Sequence, residues 1–144
     1  MTRFVLLTVL LGIALASGAC AARLAPLPAP TPDAVAAQQQ PAVTRISVDE
    51  LAKILEGPRD FTLVNVHIPF EGNLPSTDLS IAYDKIDQHL AELPSKDAKI
   101  VLYCRSGRMS DIAARRLAEL GYTHVYDVTG GMKAWEAGGR ALVK

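Results

Sequence analysis

The sequence predicts an α/β domain with a parallel sheet covered by helices on both faces. Three observations carry this. Short apolar runs alternate with amphipathic runs from about residue 44 to residue 144. The central run, Lys99 to Tyr103 (KIVLY), is apolar without alternation, as in a strand buried on both faces. Each amphipathic run also carries its own start or stop signal.

Ser47 and Glu50 form a capping box, and Ile46 and Leu51 are placed to staple across it. Leu51, Ile54 and Leu55 supply the buried stripe of that helix, and Gly57-Pro58 stops it. Phe61 to Val66 is a short strand. Asp84 starts a second helical pattern with Ile86, Leu90 and Leu93 on one face, ended by Pro94. After KIVLY and a polar loop, Met109, Ile112, Ala113, Leu117 and Leu120 recur at helical spacing, with Gly121 as the C-terminal cap. His124 to Val128 is a strand, and Gly130-Gly131 turns into a last short helix that buries Met132 and Trp135.

The first 43 residues have a different character. Met1-Thr2-Arg3 precedes an apolar run from Phe4 to Ala16, shorter than the roughly 20 residues that span a bilayer. Its length and flanks are those of a signal-peptide h-region, giving a targeting segment over 1–19. Ser17 and Ala19 fit ordinary signal peptidase cleavage before Cys20, while ASGAC also resembles a bacterial lipobox with Cys20 as the lipidated first residue. The second reading is preferred, and it places the protein as a lipoprotein on the periplasmic side of a bacterial membrane; under the first it is soluble in the periplasm. Residues 20–43 hold five of the nine prolines and a glutamine triplet. That composition suits an extended tether, leaving 44–144 as the folded domain.

The formal net charge is +0, so no basic footprint points to nucleic acid. Histidines, carboxylates and cysteines nowhere take metal-ligand spacing, and no metal is expected. His67 is read as solvated or bonded to backbone, His89, His124, Arg115 and Arg116 as surface residues, and Trp135 as a core anchor.

The chemistry concentrates in the loop CRSGRM, residues 104–109. It lies at the carboxyl end of a central strand, where open parallel sheets bind ligands. A lone cysteine is most often a small buried hydrophobe. Here it is followed by Arg105, Ser106, Gly107, Arg108 and Met109 at the start of a helix, whose amides can turn inward as an anion-binding nest. Two arginines add fixed positive charge. Each feature favours thiolate over thiol at Cys104.

YCRSGRMS followed by a helix, and then LGYTHVYDVTGGMKAW, resembles the single-domain rhodanese family from about Arg45 onward. The resemblance implies a five-stranded parallel sheet flanked by helices and a sulfurtransferase with Cys104 as nucleophile. It also implies a small anionic sulfur donor such as thiosulfate, a cyanide or thiol acceptor, and a persulfide intermediate. Arg105, Ser106, Gly107, Arg108 and Met109 are the expected donor-binding residues, and a monomer is expected. Cysteine phosphatases related to this family carry an arginine six positions after the cysteine; here that position is Ser110. Upstream, Asn65-Val66-His67 and Glu71-Gly72-Asn73-Leu74-Pro75 depart from the family's Asp-Val-Arg and Gly-His-Ile-Pro-Gly segments. Asn65 lacks the carboxylate expected to pair with a loop arginine. The alternative reading is a persulfide carrier or thiol-based sensing module without useful turnover.

Overall fold

A computed structural model describes residues 43–144; the targeting and tether assignments over 1–42, Cys20 included, lie outside the described residues. Its sheet has five strands, all parallel, in the order β1-β5-β4-β2-β3. These are β1 (Val43–Ile46), β2 (Phe61–Asn65), β3 (Leu79–Ser80), β4 (Lys99–Tyr103) and β5 (His124–Val128). The helices are α1 (Val48–Glu56), α2 (Arg108–Glu119) and α3 (Gly131–Ala137). The expected α/β architecture, with a five-stranded parallel sheet and helices on both faces, is therefore observed.

Alternation along β4 builds two cores. Ile100, Leu102 and Cys104 face α2, with Val64, Val66, Ala113, Ala114, Leu117 and Val125. Val101 and Tyr103 face the other layer, with Leu51, Leu63, Met132 and Trp135. The capping box at Ser47 forms as expected, with the Glu50 amide donating to Ser47 Oγ and the Ser47 amide to Glu50 Oε2. At the end of α2, the Tyr122 amide donates to the Leu117 carbonyl and the Gly121 amide to that of Ala118. This is a Schellman closure around Gly121.

Three segments differ from expectation. β1 and β3 carry no strand signal of their own: β1 is a four-residue edge strand, and β3 pairs only two residues with β2. The segment read as one helix from Asp84 forms two 3-10 turns, Tyr83–Gln88 and Leu90–Glu92, interrupted at His89. Its apolar residues still face inward, with Ile86 and Leu93 buried. Ile54 is half-exposed rather than part of the buried stripe of α1.

Candidate active site

The site begins where β4 ends. Cys104 follows Tyr103 directly and continues the strand's alternation, so its side chain enters the core beneath α2 rather than projecting from the loop. It is 1% exposed, whereas Arg105, Ser106 and Arg108 above it lie at the surface. Cys104 is thus a floor residue beneath an exposed loop. The Gly107 amide donates to its Sγ at 3.1 Å, and Ser110 Oγ lies 3.6 Å from the same atom.

What holds the loop open is the start of α3. The Met132 amide donates to the Cys104 carbonyl and the Lys133 amide to the Arg105 carbonyl, both at 2.9 Å. These contacts satisfy amides that a helix start leaves without partners. They also orient the loop. In a trans peptide the carbonyl and the following N–H point in opposite directions. With both carbonyls turned toward α3, the Arg105 and Ser106 amides turn the other way, toward the mouth of the loop. Gly107, at φ +100, reverses the chain into α2, which leaves its own first amides, those of Arg108 and Met109, without intrahelical acceptors. The loop is a cradle of backbone donors above one sulfur. Such an arrangement stabilises anions without a cationic side chain.

Two arginines flank the cradle and behave differently. Arg105 is ion-paired with Glu71, so much of its charge is already answered. Arg108 makes no hydrogen bond or ion pair among the described residues and is the free cation of the loop. Met109 lies partly buried against the α2-side core, which suits a hydrophobic backing rather than a polar contact. Glu71 also lies 3.6 Å from Nε2 of His67, whose ring is 7% exposed and has no hydrogen bond at either nitrogen. His67 is therefore a buried ring beside the loop rather than a solvated one.

Asn65 does not leave a gap. Its Nδ2 donates to the Gly72 carbonyl at 3.0 Å and to Asn73 Oδ1 at 2.9 Å, while its Oδ1 accepts the His67 amide. Beneath it, the Tyr103 hydroxyl accepts the Leu74 amide and meets Thr77 Oγ1 at 2.7 Å. Burial pushes the Tyr103 phenol up, so it stays protonated in this network. Together these bonds fix the segment after β2 that presents Glu71 to Arg105. Sequence reasoning sought the partner of the loop arginine at position 65; the partner stands six residues later.

Elsewhere the expectations for individual residues hold. His124 is exposed, and His89 lies half-buried at the surface with its Nδ1 against Glu92. Arg115 pairs with Asp111, and Arg116 with Asp87 and Glu119, on the solvated face of α2. Trp135 is a core residue whose Nε1 donates to the Ala141 carbonyl. At the position six after Cys104 stands Ser110, fully buried, so no arginine occupies the place a cysteine phosphatase requires.

A parallel sheet of this order places the cysteine at the carboxyl end of its central strand, beneath a loop of backbone donors. The rhodanese-like domain family matches residues 48–138. The chain is 34% identical to a sulfurtransferase of Allochromatium vinosum over 70% of this chain and 95% of that one. It is 27% identical to the thiosulfate sulfurtransferase GlpE of Tolumonas auensis, covering 64% of this chain and 87% of the relative. Among solved structures, the rhodanese-related protein of Thermoplasma volcanium aligns over 69% of this chain and 97% of its own, with a TM-score of 0.59 and 25% identity. The chain belongs to the rhodanese-like domain family.

Proposed function

We propose that the protein is a sulfurtransferase that carries sulfane sulfur on Cys104, taking it from a small anionic donor such as thiosulfate. One observation carries this reading: Sγ of Cys104 receives the Gly107 amide at 3.1 Å in a loop whose carbonyls are turned away toward α3. The relatives named for sulfur transfer support it. In the first step the Cys104 thiolate attacks the outer sulfur of thiosulfate. The S–S bond of the donor breaks, and sulfite leaves with the electron pair. In the second, cyanide or a thiolate attacks the outer sulfur of the persulfide and restores the Cys104 thiolate. This is nucleophilic catalysis in two displacements.

The test is intact mass spectrometry. Exposure to thiosulfate should add one sulfur atom to the chain, mapped to Cys104, and cyanide or a dithiol should remove it over repeated rounds. A mass that never rises refutes the proposal. A sulfur that loads but is never discharged supports the second reading, a persulfide carrier or sensor, which the burial of Cys104 favours.

Arg108 is assigned to the donor anion because it alone of the two loop arginines has no partner among the described residues. Arg108→Ala should lower the rate of persulfide formation by about two orders of magnitude, the usual loss on removing one charged donor from a preorganised site. The melting temperature should hardly change. An unchanged rate with a lowered melting temperature would make Arg108 a structural residue.

We also propose that the chain is exported and anchored through a lipid on Cys20, on the strength of the ASGAC segment after the apolar run. In a bacterial host, Cys20→Ser should move the mature protein out of the membrane fraction or leave uncut precursor. Unchanged retention in that fraction would remove the lipobox reading.

A further inference from the structure

The chain that leaves β2 turns back almost at once, and both ends of the excursion lie beside the cysteine loop. At its start the Val66 amide donates to the Tyr103 carbonyl at 2.9 Å, continuing the pairing of β2 with β4 up to the loop. At its finish Glu71 is ion-paired with Arg105. Nε2 of His67 lies 3.6 Å from the Glu71 carboxylate, which closes the excursion across its base. Ile68, Pro69 and Phe70 form the tip, held next to the loop on its Arg105 side.

That tip is apolar and open to solvent. Ile68 is 38% and Phe70 59% exposed, Pro69 is exposed between them, and none of the three joins either core. Single apolar side chains at a surface are ordinary, but a contiguous group of them beside a site marks a place where a ligand binds. The charges on this side of the mouth agree. Arg105 is answered by Glu71, whereas Arg108, at the other end of the loop, has no partner among the described residues. The mouth is cationic at one end, and apolar with its charges cancelled at the other.

Inorganic thiosulfate, small and doubly charged, has nothing to set against the apolar end. An organic thiosulfonate fits both ends. It keeps a terminal sulfane sulfur and one negative charge, and carries a carbon body in place of the second charge. We propose that Phe70 is a specificity-determining residue that selects sulfane donors joining one negative charge to an apolar organic body. The inference rests on Cys104 being the reacting sulfur and deepens the proposed function by naming its donor class. With a thiosulfonate, the Cys104 thiolate attacks the outer sulfur and forms the S–S bond of the persulfide. The S–S bond of the donor breaks, and the organic sulfinate leaves with the electron pair. No oxidant or reductant enters. The Phe70 ring packs against the body of the departing sulfinate, while Arg108 and the loop amides hold its charged end.

The test measures sulfur loading of Cys104 by intact mass on the full chain, with thiosulfate, methanethiosulfonate or benzenethiosulfonate as limiting donor. Comparing each variant with wild type on the same donor cancels the donors' own reactivities. Phe70→Ser should load from benzenethiosulfonate about fivefold more slowly, the scale of one lost aromatic contact, and stay within about twofold on the two smaller donors. Phe70 lies outside both cores, so this variant should melt with wild type. Phe70→Tyr, which keeps the ring, should load from benzenethiosulfonate at the wild-type rate. Glu71→Gln frees Arg105 and should raise loading from dianionic thiosulfate about threefold relative to benzenethiosulfonate. A Phe70→Ser that slows all donors alike, or none, overturns this inference alone. So does a Phe70→Tyr as slow as Phe70→Ser, or a Glu71→Gln that leaves the ratio of the two donors unchanged. No loading of wild type from any of the three donors removes the proposed function and this inference with it.

Discussion

Cys104→Ser should abolish sulfur transfer outright, with no persulfide detectable by mass after exposure to thiosulfate. A serine hydroxyl is not appreciably ionised near neutrality and forms no persulfide, so the first displacement lacks its nucleophile and the second has no persulfide to attack. The fold should tolerate the change. The replacement is smaller but keeps two polar neighbours in place, the Gly107 amide and the Ser110 hydroxyl. With one buried hydroxyl hydrogen-bonded in this way, the loss of stability should be about 1 kcal/mol. Residual transfer in the variant would place the nucleophile elsewhere and dissolve the assignment of the loop.

The second large effect is expected at Gly131, far along the chain from the cysteine. Gly131 has φ +53, and a Cβ there would fall deep inside contact distance of the Cys104 carbonyl oxygen. The obstacle is backbone, and it is the same carbonyl that accepts the Met132 amide. Gly131→Ala must therefore push α3 off the loop and break the pair of bonds that turns the Arg105 and Ser106 amides toward the mouth. Left-handed backbone at a non-glycine residue and overpacking add to about 3 kcal/mol of destabilisation. Persulfide formation should fall by about two orders of magnitude or more, as expected on losing preorganised donors. Equal melting temperature and equal transfer to wild type would show that the two segments do not depend on one another.

How much of this was legible in the sequence depends on where each signal lay. The buried strand KIVLY, the capping box at Ser47 and the glycine after α2 are local signals, and each stands where it was expected. β1 and β3 were not legible because their strand character comes from neighbours: Val43–Ile46 pairs with β5, and Leu79–Ser80 with β2. The segment after Asp84 has helical spacing, but the break at His89 and packing against α2 give two tighter turns in place of one helix. At the site, the loop CRSGRM stands where it was expected at the end of β4, whereas the carboxylate that answers Arg105 is distant in sequence. Glu71 reaches Arg105 from the segment after β2.

The place of Cys104 in the α2-side core has a consequence for the proposed sulfur transfer. Its neighbours there include Val66, Leu102 and Ala113, in an interior with few gaps wide enough for an extra atom. Under the proposed transfer, loading one sulfur would change the volume that the first turn of α2 must cover, and unloading would restore it. The proposed cycle would then double as a packing cycle, with the loaded and empty proteins as two slightly different solids. Amide exchange along residues 104–114 is where the alternation would register, as a breathing of the helix start timed by the arrival and departure of a single atom.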